Sequence, residues 1–301
     1  MQSRRTFFQY TSKRKALQKN VQFSSTSIKS KDEGINSYDW QKNINNRVLV
    51  RHLGDGIYNV KLDRPNKMNA LDMEMFESIG QAAELLRENN ATRNSLDAPV
   101  RAVILSGEGK AFCTGLDVKG MLNLKNGNPK RHLDRLLTRP SGYQRKHHND
   151  DNAINSKEEI MDSISSPIWG NLAQDVSYLW RDMNVPVIAS VHGMCFGGGM
   201  QIALGADMRF ATPDCRLSIM ESKWGLIPDM TASLTLRELV RIDVAKELTM
   251  TGRIISGREG EKLGLVTRCV EEPFEESFKV AKEIVARCVD FARLRMLLSF
   301  L

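Results

Sequence analysis

Hydrophobic positions along the chain change their period several times. From Val48 they alternate through VLVRHL and IYNVKLD, with Gly54-Asp55-Gly56 between the two runs, which predicts a β-hairpin. Beyond Pro65 and Asn69 the period lengthens. Met75, Phe76, Ile79, Ala82, Ala83 and Leu86 recur at helical spacing behind Asp72, a residue suited to capping, and the pattern ends near Asn89-Asn90. Pro99 opens RAVILSG, an expected buried strand. Residues 120–170 lose periodicity and are rich in Lys, Arg, Asn and His, which predicts an insertion or mobile lid. Order resumes with a helix from Leu172 to about Met183 and a strand in PVIASVHG. A glycine run follows, then a helix from about Gly199 to Gly205, strand DMRFAT, and a strand around Arg216–Ile219 that leads to Glu221. Leu234–Val240 and Val244–Met250 predict helices, Ser256 caps another, LVTRCV predicts a strand, and Glu275–Arg287 is amphipathic.

Strands that come in pairs followed by a helix argue for an α/β fold of repeated ββα units with helices at the end. The expected organisation is a leader over residues 1–35, a ββα core over 44–255 carrying the 120–170 insertion, and a C-terminal helical region over 256–301, shortened after the apolar run RMLLSFL. Charge sharpens this division. The net charge of the 301 residues is +7, yet residues 1–31 hold eight Lys or Arg and no acid, so the remainder is close to neutral. The basic excess belongs to the leader, and a nucleic-acid-binding body loses its main support. Rich in Arg, Lys, Ser and Thr and without an unbroken apolar stretch, the leader reads as a mitochondrial transit peptide, or else as a plain basic tail. A matrix location is expected, with no membrane partner.

Five cysteines form no CxxC pair and read as reduced core residues; no HExxH or Cys/His grid implies a metal. His192, on an apolar strand, reads as a packed residue.

Candidate chemistry lies in three segments: LDRPNKMNAL at 62–71, GEGKAFCTGLD at 107–117, and the long run from Pro186 to Asp229. In AFCTGLD a strand and turn precede Gly115 and Leu116, an arrangement able to leave a backbone N–H pointing outward. Gly197-Gly198-Gly199 joins a strand to a helix start, where N–H groups lack intrahelical acceptors and the dipole favours negative charge. Two such donors make an oxyanion hole. For the glycines alone, close helix–strand packing is the simpler reading; a P-loop is excluded because Ala111 follows Gly109-Lys110. Glu221, just after a strand and among apolar neighbours, is a candidate base whose pKa burial would raise. Asp229, eight residues on, reads either as a second acid or as the N-cap of the next helix.

Taken together and in order, the three segments resemble the enoyl-CoA hydratase/isomerase (crotonase) family from about Val48 to Val270, which implies a crotonase-like spiral of ββα units. The resemblance implies that Leu116 and Gly198 hold a thioester oxygen and that Glu221 is catalytic. The spacing of Glu221 and Asp229 resembles the dienoyl-CoA isomerase subgroup. It also implies that Arg64 and Lys67 meet CoA phosphates, that Met68 to Ala70 meet adenine, and that Gly115, Asp117, Val118, Lys119 and Gly197 line the substrate path. CoA is then a substrate carrier and no other cofactor is implied. Gln201 departs from the pattern, because the hydratase branch has glutamate there and the dienoyl-isomerase branch aspartate; an amide moves no proton near neutral pH. Three readings stand: a double-bond isomerase of fatty-acid β-oxidation, a hydratase with a water oriented by Gln201, and a non-catalytic acyl-CoA-binding protein. The resemblance further implies a homotrimer or hexamer.

Overall fold

Alternation in the first hairpin sends Val48 and Val50 of strand β2 (Val48–His52) and Tyr58, Val60 and Leu62 of β3 (Ile57–Leu62) into one core. A computed structural model of the chain describes residues 41–92, 98–118, 120, 136–137 and 170–287. The chain divides into two units, Met1–Ser37 and Tyr38–Leu301, and every described residue belongs to the second. The leader, nearly all of the 120–170 insertion, Lys119 and the RMLLSFL run lie outside the described residues.

Strand β1 (Gln41–Ile44) pairs antiparallel with β2, an edge that its polar sequence QKNI does not announce. Helix α1 (Met73–Thr92) follows the hairpin, with Asp72 Oδ1 accepting the Met75 N–H at 2.8 Å as its cap. Then come β4 (Ala102–Gly107), β5 (Ala111–Cys113) and α2 (Leu172–Arg181). A capping box starts α2: Asn171 accepts from the Gln174 N–H while Gln174 accepts from the Asn171 N–H. Next are β6 (Val187–Val191), β7 (Met194–Phe196), α3 (Gly198–Leu204), β8 (Met208–Ala211) and β9 (Arg216–Ser218). A 3₁₀ turn at Glu221–Trp224 leads to α4 (Ala232–Leu239) and α5 (Ile242–Thr251). The described chain ends with β10 (Ile255–Ser256), α6 (Gly257–Leu263), β11 (Arg268–Cys269) and α7 (Pro273–Arg287).

The strands form two sheets. The larger has the order β1-β2-β3-β4-β6-β8-β11, parallel from β3 onward; the smaller has the order β10-β9-β7-β5, parallel from β9 to β5. Each successive pair, β4/β5, β6/β7 and β8/β9, gives its first strand to the larger sheet and its second to the smaller. This is the ββα repeat as architecture. Both faces of the larger sheet are covered, which is why its strands read as continuous apolar runs. Val103, Leu105, Val187 and Ala189 join a core with Met75, Phe76, Val176 and Trp180 of α1 and α2. On the opposite face Ile104, Ile188 and Phe210 meet Ala281 and Val285 of α7. Truncating a ring as buried as Phe210 costs about 3–5 kcal/mol.

Four local expectations need correction. PVIASVHG does not run into the glycines: the chain turns at Gly193 and builds β7 in the other sheet first. Helix α3 starts at Gly198, one residue earlier than expected. LVTRCV shrinks to a two-residue strand, Arg268 and Cys269 paired with Phe210 and Ala211 of β8, with the Thr267 and Val270 N–H groups bonding to β8 carbonyls at either end. Asp229 is not the cap of α4; Thr231 holds that position, with φ 73° and no side-chain capping bond. Ser256 does cap its helix, accepting from the Glu259 N–H.

Candidate active site

Three neighbouring parallel strands of the smaller sheet end side by side, and the candidate chemistry sits on their C-terminal ends. β5 pairs with β7 through Cys113 and Cys195, and β7 with β9 through Phe196 and Ser218. Beyond those ends lie Gly115-Leu116, Gly197-Gly198 and Glu221 respectively. Sequence-distant residues are thus brought together by register.

The first end is fixed by a parallel bridge between Leu71 and Leu116. Leu71 N–H donates to the Gly115 carbonyl at 2.8 Å, and Asp117 N–H donates to the Leu71 carbonyl at 2.9 Å. In such a bridge the middle residue turns its own N–H to the other side. Leu116 N–H accordingly has no acceptor among the described residues. Gly115 has φ 83°, and a Cβ there would lie 2.8 Å from the Phe196 carbonyl oxygen and 3.4 Å from the Gly198 nitrogen. Only glycine lets the two strand ends approach so closely.

At the second end Gly197 N–H donates to the Ser218 carbonyl at 2.9 Å, and Gly198 opens α3 with its N–H unpaired among the described residues. A Cβ on Gly198 would lie 2.8 Å from Leu71 Cδ1 and 2.9 Å from Met230 Sδ. Gly198 thus combines close packing with an N–H that has no acceptor among the described residues.

Glu221 closes the third end. Its residue is 9% exposed, and both carboxylate oxygens lie within 4.0 Å of where a Gly197 side chain would begin. Oε1 accepts the Gln201 Nε2–H at 2.6 Å, whereas Oε2 is buried with no hydrogen-bond partner among the described residues. Burial pushes the Glu221 carboxyl up, its own backbone N–H and then the Gln201 amide pull it back, and the Asp229 charge pushes it up further. Asp229 itself is exposed. Gln201, 1% exposed, accepts the Ala232 N–H at 3.1 Å on its own oxygen, so its amide bridges the start of α4 and the carboxylate.

The expected nucleotide-contacting residues separate. Arg64 is committed: its guanidinium pairs with Asp117 at 2.9 Å and Asp72 at 3.2 Å and donates to the Ala70 carbonyl, so it is not a free cation awaiting phosphate. Lys67 and Met68 are exposed. Burial alone would raise Asp117, but the Gly120 N–H and Arg64 outweigh it and hold its carboxyl below the ordinary value. Val118 is half-buried. Asn69 is a hub the sequence reading passed over. Fully buried at φ 55°, it accepts the Arg64 N–H and donates to the Glu108, Ala111 and Phe112 carbonyls. An Asn in a proline turn was the available signal. His192, half-buried, meets the Gly109 carbonyl at 2.9 Å. Among the described residues no group of three or more His, Cys, Asp or Glu side chains could hold a metal ion, and no helix is long and apolar enough to cross a membrane.

Comparison with known proteins agrees with this geometry. The enoyl-CoA hydratase/isomerase family profile matches residues 52–140 and 159–296. The chain is 27% identical over 225 residues to "Delta(3,5)-Delta(2,4)-dienoyl-CoA isomerase, peroxisomal" of Arabidopsis thaliana, covering 73% of this chain and 68% of that protein. It is 30% identical over 247 residues to a Mycobacterium bovis protein named "Probable enoyl-CoA hydratase echA12", covering 82% and 73%. The solved enoyl-CoA hydratase of Mycobacterium smegmatis superposes with a TM-score of 0.61 at 27% identity, over 84% of this chain and 82% of that one. Two layers of parallel strands built from ββα repeats, with paired N–H donors at their ends, are the crotonase fold, and the chain belongs to the enoyl-CoA hydratase/isomerase family.

Proposed function

We propose that the chain relocates double bonds in enoyl- or dienoyl-CoA thioesters, in the manner of a fatty-acid β-oxidation isomerase. In this reaction Glu221 Oε2 removes a proton from carbon activated by the thioester, the electrons move onto the thioester oxygen, and the Leu116 and Gly198 N–H groups hold that oxygen. Return of that proton by Glu221 at a different carbon, or delivery of another proton there by a protonated Asp229 with Glu221 and Asp229 then reset by proton exchange with solvent, moves the double bond with no net change in composition. Each oxyanion donor contributes about 3–4 kcal/mol to such a step. The observation that carries this reading is the Gln201 amide bonded to Glu221, where a second carboxyl would be needed to share the handling of a water. Shifting a bond needs one base and a proton return; adding water needs the water held and split as well.

Hydration remains the second reading, favoured by the 30% identity to a protein named as a hydratase. Incubation of protein lacking residues 1–35 with 3,5-dienoyl-, 3-enoyl- and 2-enoyl-CoA, followed by mass spectrometry and ultraviolet absorbance, separates the two. Conversion at constant mass with new conjugated absorbance supports the isomerase. Gain of one water on 2-enoyl-CoA refutes it in favour of the hydratase, and binding without conversion refutes both in favour of a non-catalytic acyl-CoA-binding protein. The mitochondrial matrix is the proposed location, supported by the acid-free basic leader; a fluorescent fusion of residues 1–35 that stays cytosolic would reject it. A trimer or hexamer is proposed from family membership and is read by light scattering.

A further inference from the structure

Glu221 has two oxygens in different situations. Oε1 is bonded to Gln201 Nε2–H at 2.6 Å, and Oε2 is buried without a partner among the described residues. The Gln201 amide cannot be reversed without loss, because its oxygen accepts the Ala232 N–H from the first residue of α4 at 3.1 Å. Turning it over would set oxygen against carboxylate and amide nitrogen against backbone nitrogen. The backbone of α4 therefore dictates which end of the amide faces Glu221.

We infer that Gln201 is a positioning residue that holds Glu221 in one rotamer, favours its ionised form through a donor on Oε1, and leaves Oε2 as the single oxygen that exchanges protons with substrate. The inference rests on the proposed role of Glu221 as base and names the division of labour within it. A donor to a carboxylate bonds the charged form more strongly than the neutral one, so it opposes the effect of burial. Asp229 is the charge that acts on Glu221. Around it, α3 carries no ionisable side chain. On α4 Glu238 pairs with Arg181 beside Arg237 in the last turn; on α5 Asp243 pairs with Arg241 and Glu247 with Arg253, and Lys246 lines a groove with Pro228. Lys223, on the turn of Glu221 itself, is exposed, Arg216 stacks over Phe196, and Asp117 is held by Arg64.

Two variants separate the halves of the bridge. Gln201→Leu removes both bonds; Gln201→Glu keeps an acceptor for Ala232 and loses the donor to Glu221. The readouts are the acid limb of kcat/KM against pH with an acyl-CoA substrate, and the titration of the Glu221 carboxyl by carbon NMR, its signal assigned by loss in Glu221→Gln. Both variants are expected to move the limb and the carboxyl midpoint upward, by about one pH unit for Gln201→Leu, a tenfold loss of the ionised form on the acid side. At high pH the leucine variant should return to within a few-fold of the parent rate. An unmoved carboxyl midpoint in both variants overturns the inference, as does an equal loss of rate at every pH. If one variant fails to fold, the other gives the same reading. Activity retained by Glu221→Gln would instead overturn the role of Glu221 as base, while the carboxyl midpoint would still decide whether Gln201 favours the ionised form.

Discussion

Replacing Gly115 by alanine tests the site at its most confined point. Two costs follow from the geometry. A φ of 83° is left-handed, which disfavours an L side chain by about 1–2 kcal/mol. The new Cβ would also stand 2.8 Å from the Phe196 carbonyl oxygen, a backbone atom at the end of β7 that cannot swing aside as a side chain would. Gly225 isolates the first cost, since it has φ 66° and nothing within 4 Å of its added Cβ. Gly225→Ala should lose about 1–2 kcal/mol in urea denaturation, and Gly115→Ala about 1–3 kcal/mol more. For a body of this size that extra loss lowers Tm by roughly 2–12 °C. The Gly115 variant must also push the ends of β5 and β7 apart, separating Leu116 and Gly198. With the donor pair spoiled, kcat for an acyl-CoA substrate should fall about 10²–10³-fold, while the folded protein keeps its circular dichroism spectrum. Equal stability of the two alanine variants, or full activity in Gly115→Ala, would refute the reasoning.

Glu221→Gln should lower kcat about 10²–10⁴-fold with binding of an unreactive CoA ester retained, measured by calorimetry. A carboxyl raised by burial stabilises the fold fully only below its unfolded pKa and loses that contribution as pH rises through the folded value. The difference in unfolding free energy between Glu221→Gln and the parent should therefore grow from pH 4 to pH 8; a constant difference would show that burial does not act on this group. Lys67→Ala should raise KM for CoA esters several-fold and leave pantetheine thioesters unaffected, whereas Arg64→Ala should lower Tm rather than act through KM alone, because Asp117 loses its cation and keeps only the Gly120 N–H among the described residues, while Asp72 retains Arg47. Burial pushes Cys113 and Cys215 up to about 12 and Cys195 well above the usual thiol range, so none of the three should react with a soluble disulfide reagent at pH 8 in the native state.

Periodicity and turn chemistry carried most of the architecture. Alternation in VLVRHL and IYNVKLD specifies the hairpin because one of its faces meets α1, and the long apolar runs specify central strands because α7 covers their other face. What escaped were elements whose stability comes from partners far along the chain. β7 has only three residues and exists because β5 and β9 flank it. The polar β1 is held by edge pairing with β2. At the site, Leu116, Gly198, Gln201 and Glu221 were legible as a group from their motifs. The bridge from Ala232 through Gln201 to Glu221 was not, because no spacing rule links a helix start to an amide thirty-one residues earlier. Arg64 shows a different limit of the sequence. A cation in a plausible phosphate position looked available, and the half-buried carboxylates of Asp72 and Asp117 that pair with it are visible only in three dimensions.

The donor pair sits on strands paired in register between Cys113 and Cys195, which are far apart in sequence. Closing so long a loop is entropically slow, and such pairings tend to form late in folding. If the two N–H groups hold a thioester oxygen as proposed, no partly folded form lacking β5–β7 pairing can do so, and an acyl-CoA ligand is invisible to the chain until its topology is complete. Ligand should slow unfolding from the native state and leave the rate of folding untouched.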